Sequence, residues 1–220
     1  HLGQSLDALH QTIDGVQVQT SEGLTLEGQA LIGADGLWSR VRQLLLNDGG
    51  PQPTGHLAYR TLVVQSQLPE RLRSQSVTVW LGPRLHVVQY PVRSGEGLNV
   101  VAIVQAGPGD PDAHSLQGWD HNTNAQTLRR TLAGCAGPLQ DLMDAIPAWR
   151  LWPLCDRPPM QGPGEHAQGR VALLGDAAHP MRPYLAQGAG MALEDAFVLA
   201  DALRACPDDE PLALQTYAQR

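Results

Sequence analysis

The chain has 220 residues and carries 22 acidic against 15 basic side chains, which gives a formal net charge of −7. This acidic balance, without a run of basic residues, argues against a nucleic-acid groove or binding to an anionic membrane surface. No apolar stretch approaches the ~20 residues that span a bilayer. From the charge and from this absence of a span in the sequence, we predict that neither nucleic acid nor a membrane is a partner.

The first elements are predicted to be a small β-meander, a strand and a helix. Residues 13–33 alternate apolar and polar side chains and are interrupted by Asp14-Gly15 and Glu22-Gly23, which are typical of hairpin turns. The apolar strand in "ALIGADG" ends at Asp35, and "SRVRQLLL" predicts the helix that follows. The loop 47–55, rich in glycine and proline, is predicted to be a linker.

The middle of the chain is predicted to be β-rich. Four stretches with β-branched residues or alternating polarity predict an antiparallel sheet: "HLAYRTLVVQSQL", "QSVTVWLG", "LHVVQYPV" and "LNVVAIVQAG". "RSGEG" is predicted to be the turn of the last hairpin. Residues 122–147 show helical periodicity, and "AWRLWPLCDRPP" predicts one more strand, which its prolines end.

The last part returns to an apolar strand, "GRVALLGDAAH", and then to a helix with a predicted apolar stripe of Ala192, Ala196, Leu199 and Leu203. Glu194, Asp195 and Asp201 are predicted to lie off that stripe. Two apolar strands that each end near an aspartate thus flank the β-rich segment. The predicted fold class is mixed α/β: one α/β domain, residues 1–50 and 158–220, interrupted by an inserted antiparallel β-sheet domain, residues 51–157.

Asp176 follows the second apolar strand, where open α/β sheets bind their ligands. Its carboxylate can accept hydrogen bonds from polyol hydroxyls, and a helix beginning near Gly188 and Gly190 presents backbone N–H groups to negative charge. The residues leave three interpretations open: a hydroxylated cofactor with an anionic ring, a turn and helix start without a ligand, or a metal held by Asp176 with His179. We predict no metal site, because no further cluster of ligands accompanies this pair.

Two segments resemble motifs of the class A flavoprotein aromatic hydroxylases. Residues 169–203, "GRVALLGDAAHPMRPYLAQGAGMALEDAFVLADAL", resemble their second FAD-binding motif, and residues 31–42, "LIGADGLWSRVR", resemble their Asp-Gly motif. "AYRTLV", "WLGPRLHVVQYPVR" and "LNVVAIV" are similar to the salicylate and 3-hydroxybenzoate hydroxylase branch. The resemblance covers essentially the whole chain and implies part of a Rossmann-like FAD-binding domain, interrupted by a sheet-rich substrate domain.

One hallmark of that family is missing from the sequence. Neither its N-terminal strand–GxGxxG–helix, which holds the ADP half of FAD, nor its C-terminal region is present. The chain also begins without methionine and ends within a predicted helix. We therefore expect a piece of a longer protein, which by itself binds FAD poorly and is inactive.

The resemblance assigns FAD contacts to two groups of residues. Asp35, Gly36 and Arg40 would support the pyrophosphate region, Asp176 would bind the ribityl or ribose-side hydroxyls, and the glycine-rich turn would face the pyrimidine edge of the ring. The full predicted set is Asp35, Gly36, Arg40, Gly175, Asp176, Pro183, Gly188, Ala189 and Gly190.

The resemblance also assigns His86, Tyr90 and Gln187 as catalytic residues that contact the substrate. His86 and Tyr90 stand four apart on a predicted strand, hence on one face, and His86 could hydrogen-bond the substrate phenol and help to remove its proton. The alternative is that His86 and Tyr90 are ordinary residues packed between sheet and helix.

Roles are also expected for several other prominent side chains. Near the substrate carboxylate we expect Tyr59 and Arg60, with Arg182 as an alternative anchor. The remaining expectations are structural: His179 shapes its loop, Arg42 lies on a solvated helix face, and Trp80, Trp149 and Trp152 belong to the core.

The resemblance implies an FAD-dependent monooxygenase that hydroxylates a small phenolic or aromatic acid. NADH or NADPH and O2 would be its co-substrates, through a flavin C4a-hydroperoxide. A same-scaffold FAD oxidoreductase with other chemistry, such as an epoxidase, is one alternative, and a truncated chain without catalytic activity is another.

The cysteines carry the prediction of location. Cys135, Cys155 and Cys206 are widely spaced, odd in number and without a CxxC pattern, which is typical of a reducing compartment. Because the first residues also lack a signal-peptide pattern, we predict a cytoplasmic protein.

Overall fold

The computed structural model describes residues 1–107, 121–123 and 125–220. The chain divides into two compact units: unit 1 comprises His1–Gln52 and Cys155–Arg220, and unit 2 comprises Pro53–Leu154. Unit 1 is therefore assembled from two separate stretches of sequence, whereas unit 2 is continuous.

Unit 1 begins with a three-stranded antiparallel sheet. Its strands are β1 (Leu6–Gln11), β2 (Val16–Thr20) and β3 (Thr25–Gly28), in that order across the sheet. The predicted meander is confirmed for β2 and β3, but the sheet starts earlier than residue 13. The alternating pattern does not reveal β1, because a register shift between Leu6 and Ala8 interrupts its period of two.

Strand β4 (Leu31–Gly33) and helix α1 (Arg40–Leu46) follow, and both are confirmed predictions. The helix starts at Ser39, whose Oγ accepts a hydrogen bond from the backbone N–H of Arg42 at 2.9 Å. It ends at Asn47, which has a φ of +50°. The linker predicted for residues 47–55 is shorter than expected, because the next strand already begins at Gln52.

Unit 2 contains a six-stranded sheet in the order β6-β7-β8-β5-β10-β9. The strands are β5 (Gln52–Val64), β6 (Thr78–Gly82), β7 (Leu85–Val92), β8 (Gly97–Gln105), β9 (His121–Thr123) and β10 (Trp149–Asp156). The predicted strands are confirmed, and so is the turn at "RSGEG", which joins β7 to β8.

Helices α2 (Gln126–Leu132) and α3 (Gly137–Asp144) follow β9. They confirm the helical region predicted for residues 122–147, except at its start, which belongs to β9. Strand β9 pairs with Trp149–Leu151 of β10. A three-residue strand whose partner lies far along the chain leaves no periodic signal in the sequence.

One face of the unit 2 sheet packs against these two helices. Tyr59, Ala102 and Val87 lie side by side on β5, β8 and β7 and belong to the same buried core as Leu128 and Leu139. We call this the helix face, defined by Tyr59, Ala102 and Val87. Trp149 is buried in the same core and Trp80 packs against it, which confirms both as core residues, whereas Trp152 is only half-buried.

The second stretch of unit 1 adds α4 (Pro163–His166), β11 (Ala167–Gln168), β12 (Val171–Leu173), α5 (Gly188–Ala205) and α6 (Glu210–Ala218). Strand β12 pairs antiparallel with β11 and parallel with β4. The combination of helices with parallel and antiparallel strands confirms the predicted fold class. In the part of the chain that the structure describes, every helix is too short or too polar to cross a membrane.

The buried side of α5 differs from the predicted stripe. Leu199 is buried as expected, but Ala196 and Leu203 are exposed, and Ala202, which is not part of the predicted stripe, is buried. Asp195 lies on the inner side instead, so the prediction that it stands off the stripe is wrong. A carboxylate can occupy this position because the neighbouring turn supplies hydrogen-bond donors for it.

Candidate functional site

The two aspartate-bearing segments meet at one edge of the sheet in unit 1. Because β4 and β12 are parallel neighbours, with Gly33 beside Leu173, their carboxyl ends point the same way. A hydrogen bond from the Leu174 N–H to the Gly33 carbonyl, 2.9 Å, extends the ladder beyond the last pair. The two strand ends therefore converge, at the edge where open α/β sheets bind ligands.

The Asp35 carboxylate is bound by its own chain. It accepts hydrogen bonds from Ser39 Oγ at 2.5 Å and from the backbone N–H groups of Arg40 and Val41 at 2.7 and 3.1 Å. Asp35 therefore fixes the turn between β4 and the first turn of α1, together with Gly36, whose φ is +74°. The Arg40 side chain donates to Gln43 Oε1 at 2.7 Å.

Asp176 is in the opposite situation. It lies in a short 3-10 turn, Gly175–Ala177, is exposed, and no residue among those the structure describes hydrogen-bonds to its carboxylate. A Cβ atom at Gly188 would stand 3.6 Å from Asp176 Oδ1, which places the carboxylate beside the first turn of α5. The interpretation of Asp176 as a turn-capping residue therefore lacks support, and its acceptor atoms are available to a ligand.

Packing requires glycine at one position of this region but not at another. Gly175 has a φ of +59°, and a Cβ there would come within 3.1 Å of Ala192 Cβ, so the packing of the turn against α5 requires glycine. At Gly190, by contrast, an added Cβ would meet no described atom within 4 Å. The fold that the structure describes does not require glycine at this position, and the space beside the α5 amides is open.

The loop between β12 and α5 carries three further predicted residues. Pro183 opens a 3-10 turn, Pro183–Leu185, and is exposed. Gln187 precedes α5 without forming a side-chain cap and is also exposed. Arg182 lies 3.4 Å from Asp156 Oδ2 through its Nε, in a largely solvent-accessible pair.

Arg42 is buried, so its assignment to a solvated helix face is wrong. Its side chain is 1% exposed and donates to Asp48 Oδ2 at 2.7 Å. It also donates to the carbonyl oxygens of Ala178 at 2.7 Å and Pro158 at 2.8 Å. The first motif thereby holds the loop that follows Asp176. Helical spacing contained the signal, because Leu45 lies three residues on and packs into the core.

Arg157 is a second buried cation that the sequence analysis missed. It is 6% exposed and donates to Asp48 Oδ1 at 3.2 Å and to the Leu37 carbonyl at 2.8 Å. Burial lowers the pKa of Arg157, and the Asp48 carboxylate opposes this shift. Asp48 thus bridges Arg42 and Arg157. Nothing in the pattern "CDRPP" distinguishes Arg157 from a surface residue.

His179 and Asp195 form a pair behind the Asp176 turn. His179 Nε2 and Asp195 Oδ2 are 2.6 Å apart, and the same oxygen accepts a hydrogen bond from the Gly175 N–H at 2.8 Å. The expectation that His179 shapes its loop agrees with this contact. Among the described residues, no group of three or more His, Cys, Asp or Glu side chains could hold a metal ion.

His166, at the end of α4, lies beside this pair, with its ring centroid 6.5 Å from that of His179. Burial lowers the pKa of His166, and the neighbouring His179 and Arg42 lower it further, against the opposing effect of Asp195 and Glu165. The folded state therefore favours the neutral imidazole of His166.

We expect acidification to destabilise the chain through His166. Because the folded pKa lies below the ~6.5 of an unfolded histidine, the unfolded state binds the proton first as pH falls. The stabilisation is present above about pH 6.5 and is lost as pH falls through the folded pKa. Urea unfolding at about pH 7.5 and about pH 5.5 should show a smaller difference in His166→Gln than in the unchanged chain. His10→Gln, in β1, is the control; equal pH dependence in both variants would contradict the assignment.

In unit 2, His86 and Tyr90 share one sheet face, as predicted. Along β7 they alternate with buried Leu85 and Val87, so they point away from α2 and α3. We call this the His86 face, and it is defined by His86, Tyr90 and their cross-strand neighbours. His86 and Tyr90 therefore do not pack between the sheet and these two helices.

The substrate-side assignments of Tyr59 and Arg60 separate in the structure. Tyr59 is 1% exposed on the helix face, so its placement near a substrate beside His86 is wrong. Arg60 is exposed and pairs with Val101, which pairs with Val88, so Arg60 lies on the His86 face. The sequence "AYRTLVV" carries apolar side chains on both faces of the strand. The alternation of polarity therefore does not show which residues face the core.

Comparison with known proteins assigns the chain to a family. A family model described as an FAD binding domain matches residues 2–220. The chain belongs to this family of FAD-binding domains, which confirms the resemblance seen in the sequence.

Individual relatives refine the comparison. The chain is 39% identical over 188 residues to 3-hydroxybenzoate 6-hydroxylase 1 of Aquipseudomonas alcaligenes, covering 85% of this chain and 45% of that protein. Among solved structures, a salicylate hydroxylase substrate complex matches with a TM-score of 0.84 and 31% identity over 99% of this chain and 56% of that one. Klebsiella pneumoniae HpxO complexed with FAD and uric acid matches with a TM-score of 0.79 and 29% identity over 98% and 52%. The chain thus spans about half the length of these relatives.

Proposed function

We propose that the whole protein is an FAD-dependent monooxygenase that hydroxylates a small phenolic aromatic acid. The reaction consumes one O2, one NADH or NADPH and one proton, places one oxygen atom on the ring, and releases the other as water. The observation that carries the proposal is the Asp176 carboxylate, which lacks a partner among the described residues beside the open Gly190 turn, in a chain of the FAD-binding family. Relatives named as hydroxybenzoate and salicylate hydroxylases support the substrate class.

The residues of unit 1 fit the cofactor. FAD, when bound, supplies the transfer of electrons from the reduced nicotinamide to O2. Asp176 would accept hydrogen bonds from its sugar-chain hydroxyls, while the N–H groups of the Gly188–Gly190 turn would face the electron-rich edge of its ring. Asp35, Gly36 and Arg40 would shape the turn beside its pyrophosphate, and Gly175 and Pro183 would shape the second turn.

On the substrate side, His86, Tyr90 and Gln187 would contact the aromatic ring. The His86 imidazole would accept the proton of the substrate phenol, which raises the electron density of the ring at the carbon to be oxygenated. Histidine exchanges a proton readily near neutral pH, which suits it to this step. Tyr90 would orient the same hydroxyl, and no protein nucleophile is needed.

The organisation of the protein is part of the proposal. Residues 1–50 and 158–220 would form the FAD-binding domain, and residues 51–157 the substrate domain. We also propose a cytoplasmic location, which is supported by three cysteines that form no disulfide with one another, all in the described part of the chain.

The proposed function is tested by purifying the whole protein and measuring its flavin absorbance and its oxidation of NADH and NADPH. We expect flavin absorbance in the visible range, and oxidation of NADH or NADPH that 3-hydroxybenzoate or salicylate accelerates, with a product heavier by one oxygen atom. A colourless protein would contradict the function. So would a protein whose rates of NADH and NADPH oxidation are not increased by any aromatic acid. Product mass separates ring hydroxylation from other chemistry on the same scaffold.

Gly190→Ala tests the cofactor site separately from the fold. Alanine is favoured over glycine within a helix by up to ~1 kcal/mol, and the new methyl group meets no described atom, so the unfolding free energy without FAD should be unchanged or higher. The same methyl group would occupy cofactor space and should weaken FAD binding by about tenfold or more. Flavin fluorescence titration measures this. Gly164→Ala, also in open space, is the matched control, and equal affinity in the two variants would argue against FAD at this turn.

A further inference from the structure

The backbone beside Asp176 is fixed by hydrogen bonds, although the side chain of Asp176 is not. The Gly175 carbonyl accepts hydrogen bonds from the N–H groups of Ala178 and His179, both at 2.9 Å. The Gly175 N–H donates to Asp195 Oδ2 at 2.8 Å. Since no described residue hydrogen-bonds to the Asp176 carboxylate, the backbone of this turn sets its direction. The groups that hold Gly175 therefore also orient Asp176.

Helix α5 contacts this turn along one stripe. A Cβ atom at Gly188 would stand 3.6 Å from Asp176 Oδ1. A Cβ atom at Gly175 would stand 3.1 Å from Ala192 Cβ. Gly188, Ala192 and Asp195 are spaced four and three residues apart, which places them on the same side of the helix. Asp195 is the polar member of this stripe and supplies its hydrogen bond to the turn.

The bonds of Asp195 distinguish it from a residue that only packs. Its side chain is 16% exposed, and Oδ2 lies 2.6 Å from His179 Nε2 while it also accepts the Gly175 N–H. His179 Nδ1 is buried without a hydrogen-bond partner among the described residues, so the ring is held there through Nε2. A carboxylate is costly to bury, whereas an apolar side chain such as Leu199, further along α5, packs without that cost. The two groups that Asp195 holds therefore account for a carboxylate at this position.

We propose that Asp195 is a positioning residue for the cofactor. By holding Gly175 and His179 together, it fixes the turn in the form in which Asp176 binds the sugar-chain hydroxyls of FAD. The inference rests on the proposed function and deepens it. Asp195 acts through the Asp176 carboxylate, so FAD affinity depends on Asp195 only while Asp176 is present.

A double-mutant cycle on the whole protein tests this dependence. Asp195→Ala should raise the Kd for FAD about tenfold in a flavin fluorescence titration, because the turn no longer holds Asp176 in place. In an Asp176→Ala background the same substitution should change the Kd by less than about twofold, since the acceptor that it positions is gone. Asp195→Asn should recover part of the affinity, because its amide oxygen still accepts the Gly175 N–H. Glu194→Ala, which removes an exposed carboxylate from the same helix, is the control and should leave the Kd unchanged.

Amide hydrogen exchange of the FAD-free protein gives a readout that does not involve the cofactor. The Gly175 N–H should exchange about tenfold faster in Asp195→Ala and at the unchanged rate in Glu194→Ala. An unaltered Kd in Asp195→Ala, or losses of FAD affinity that multiply in the double variant, would overturn the inference. Circular dichroism identifies an Asp195→Ala protein that has failed to fold. The cycle with Asp195→Asn then decides, with an expected loss of about threefold that disappears in the Asp176→Ala background.

The same cycle separates this inference from the proposed function. If the coupling is found in a protein whose nicotinamide oxidation no aromatic acid increases, the positioning role of Asp195 stands and the hydroxylase function fails. If aromatic acids stimulate the oxidation while the two losses of FAD affinity are independent, the positioning role alone fails. A whole protein that binds no FAD overturns both.

Discussion

Arg42→Met is expected to lower the unfolding free energy of the chain by about 3–5 kcal/mol, because it removes one partner of a buried ion pair. The Arg42 side chain is 1% exposed and bonds Asp48 together with the carbonyl oxygens of Ala178 and Pro158. Methionine fills a similar volume but leaves these acceptors without a donor. Asp48 retains only its pair with Arg157. Urea denaturation, followed by circular dichroism, measures the change.

Arg204→Met is the matched control for this prediction. Arg204 pairs with Asp201 on the surface of α5, where its side chain is 74% exposed, and an exposed pair contributes at most about 1 kcal/mol. A loss for Arg42→Met no larger than that for Arg204→Met would show that the buried cluster does not stabilise the fold.

Asp176→Ala is expected to weaken FAD binding by the whole protein by about 10- to 150-fold. Each charge-assisted hydrogen bond to a cofactor hydroxyl is worth about 1.5–3 kcal/mol, and alanine offers no acceptor. Since no described residue hydrogen-bonds to this carboxylate, the stability of the FAD-free protein should change by less than about 0.5 kcal/mol. Flavin fluorescence gives the affinity, and thermal or urea unfolding gives the stability.

The control is Asp208→Ala, which removes an exposed carboxylate from the turn between α5 and α6. We expect it to leave FAD affinity unchanged. Asp176→Asn keeps the shape of the side chain without its charge and should fall between Asp176→Ala and the unchanged protein. Unaltered affinity in Asp176→Ala would mean that the cofactor hydroxyls are bound elsewhere.

Prediction from sequence worked where a single physical preference decides the outcome. The buried strands ending near Asp35 and Asp176 are short apolar runs, and the helix beginning at Gly188 has two glycines in its first turn. Apolar periodicity and turn residues report these features directly. The parallel pairing of β4 with β12 is a finding of the structure, and it places both strand ends at the edge where open α/β sheets bind ligands.

Prediction failed where a polar side chain is buried because its partners lie far along the chain. Arg42, Arg157 and Asp195 were treated as surface residues or passed over, and each is bonded in the structure to groups remote in sequence. Polarity alone assigns such residues to solvent, since the sequence does not show their partners. Tyr59 failed for a related reason, because a strand that is apolar on both faces conceals which one is buried.

The pairing of β4 with β12 also sets an order of assembly during synthesis. Arg42 and the carbonyl of Ala178 are separated by 136 positions, and unit 2 lies wholly between them. When the ribosome has released only residues 1–154, unit 2 is complete, whereas β4 still lacks its parallel neighbour. We therefore expect unit 2 to fold first on a nascent chain. Strand β4 would remain unpaired with β12, and accessible to chaperones, until residues 169–203 have been synthesised.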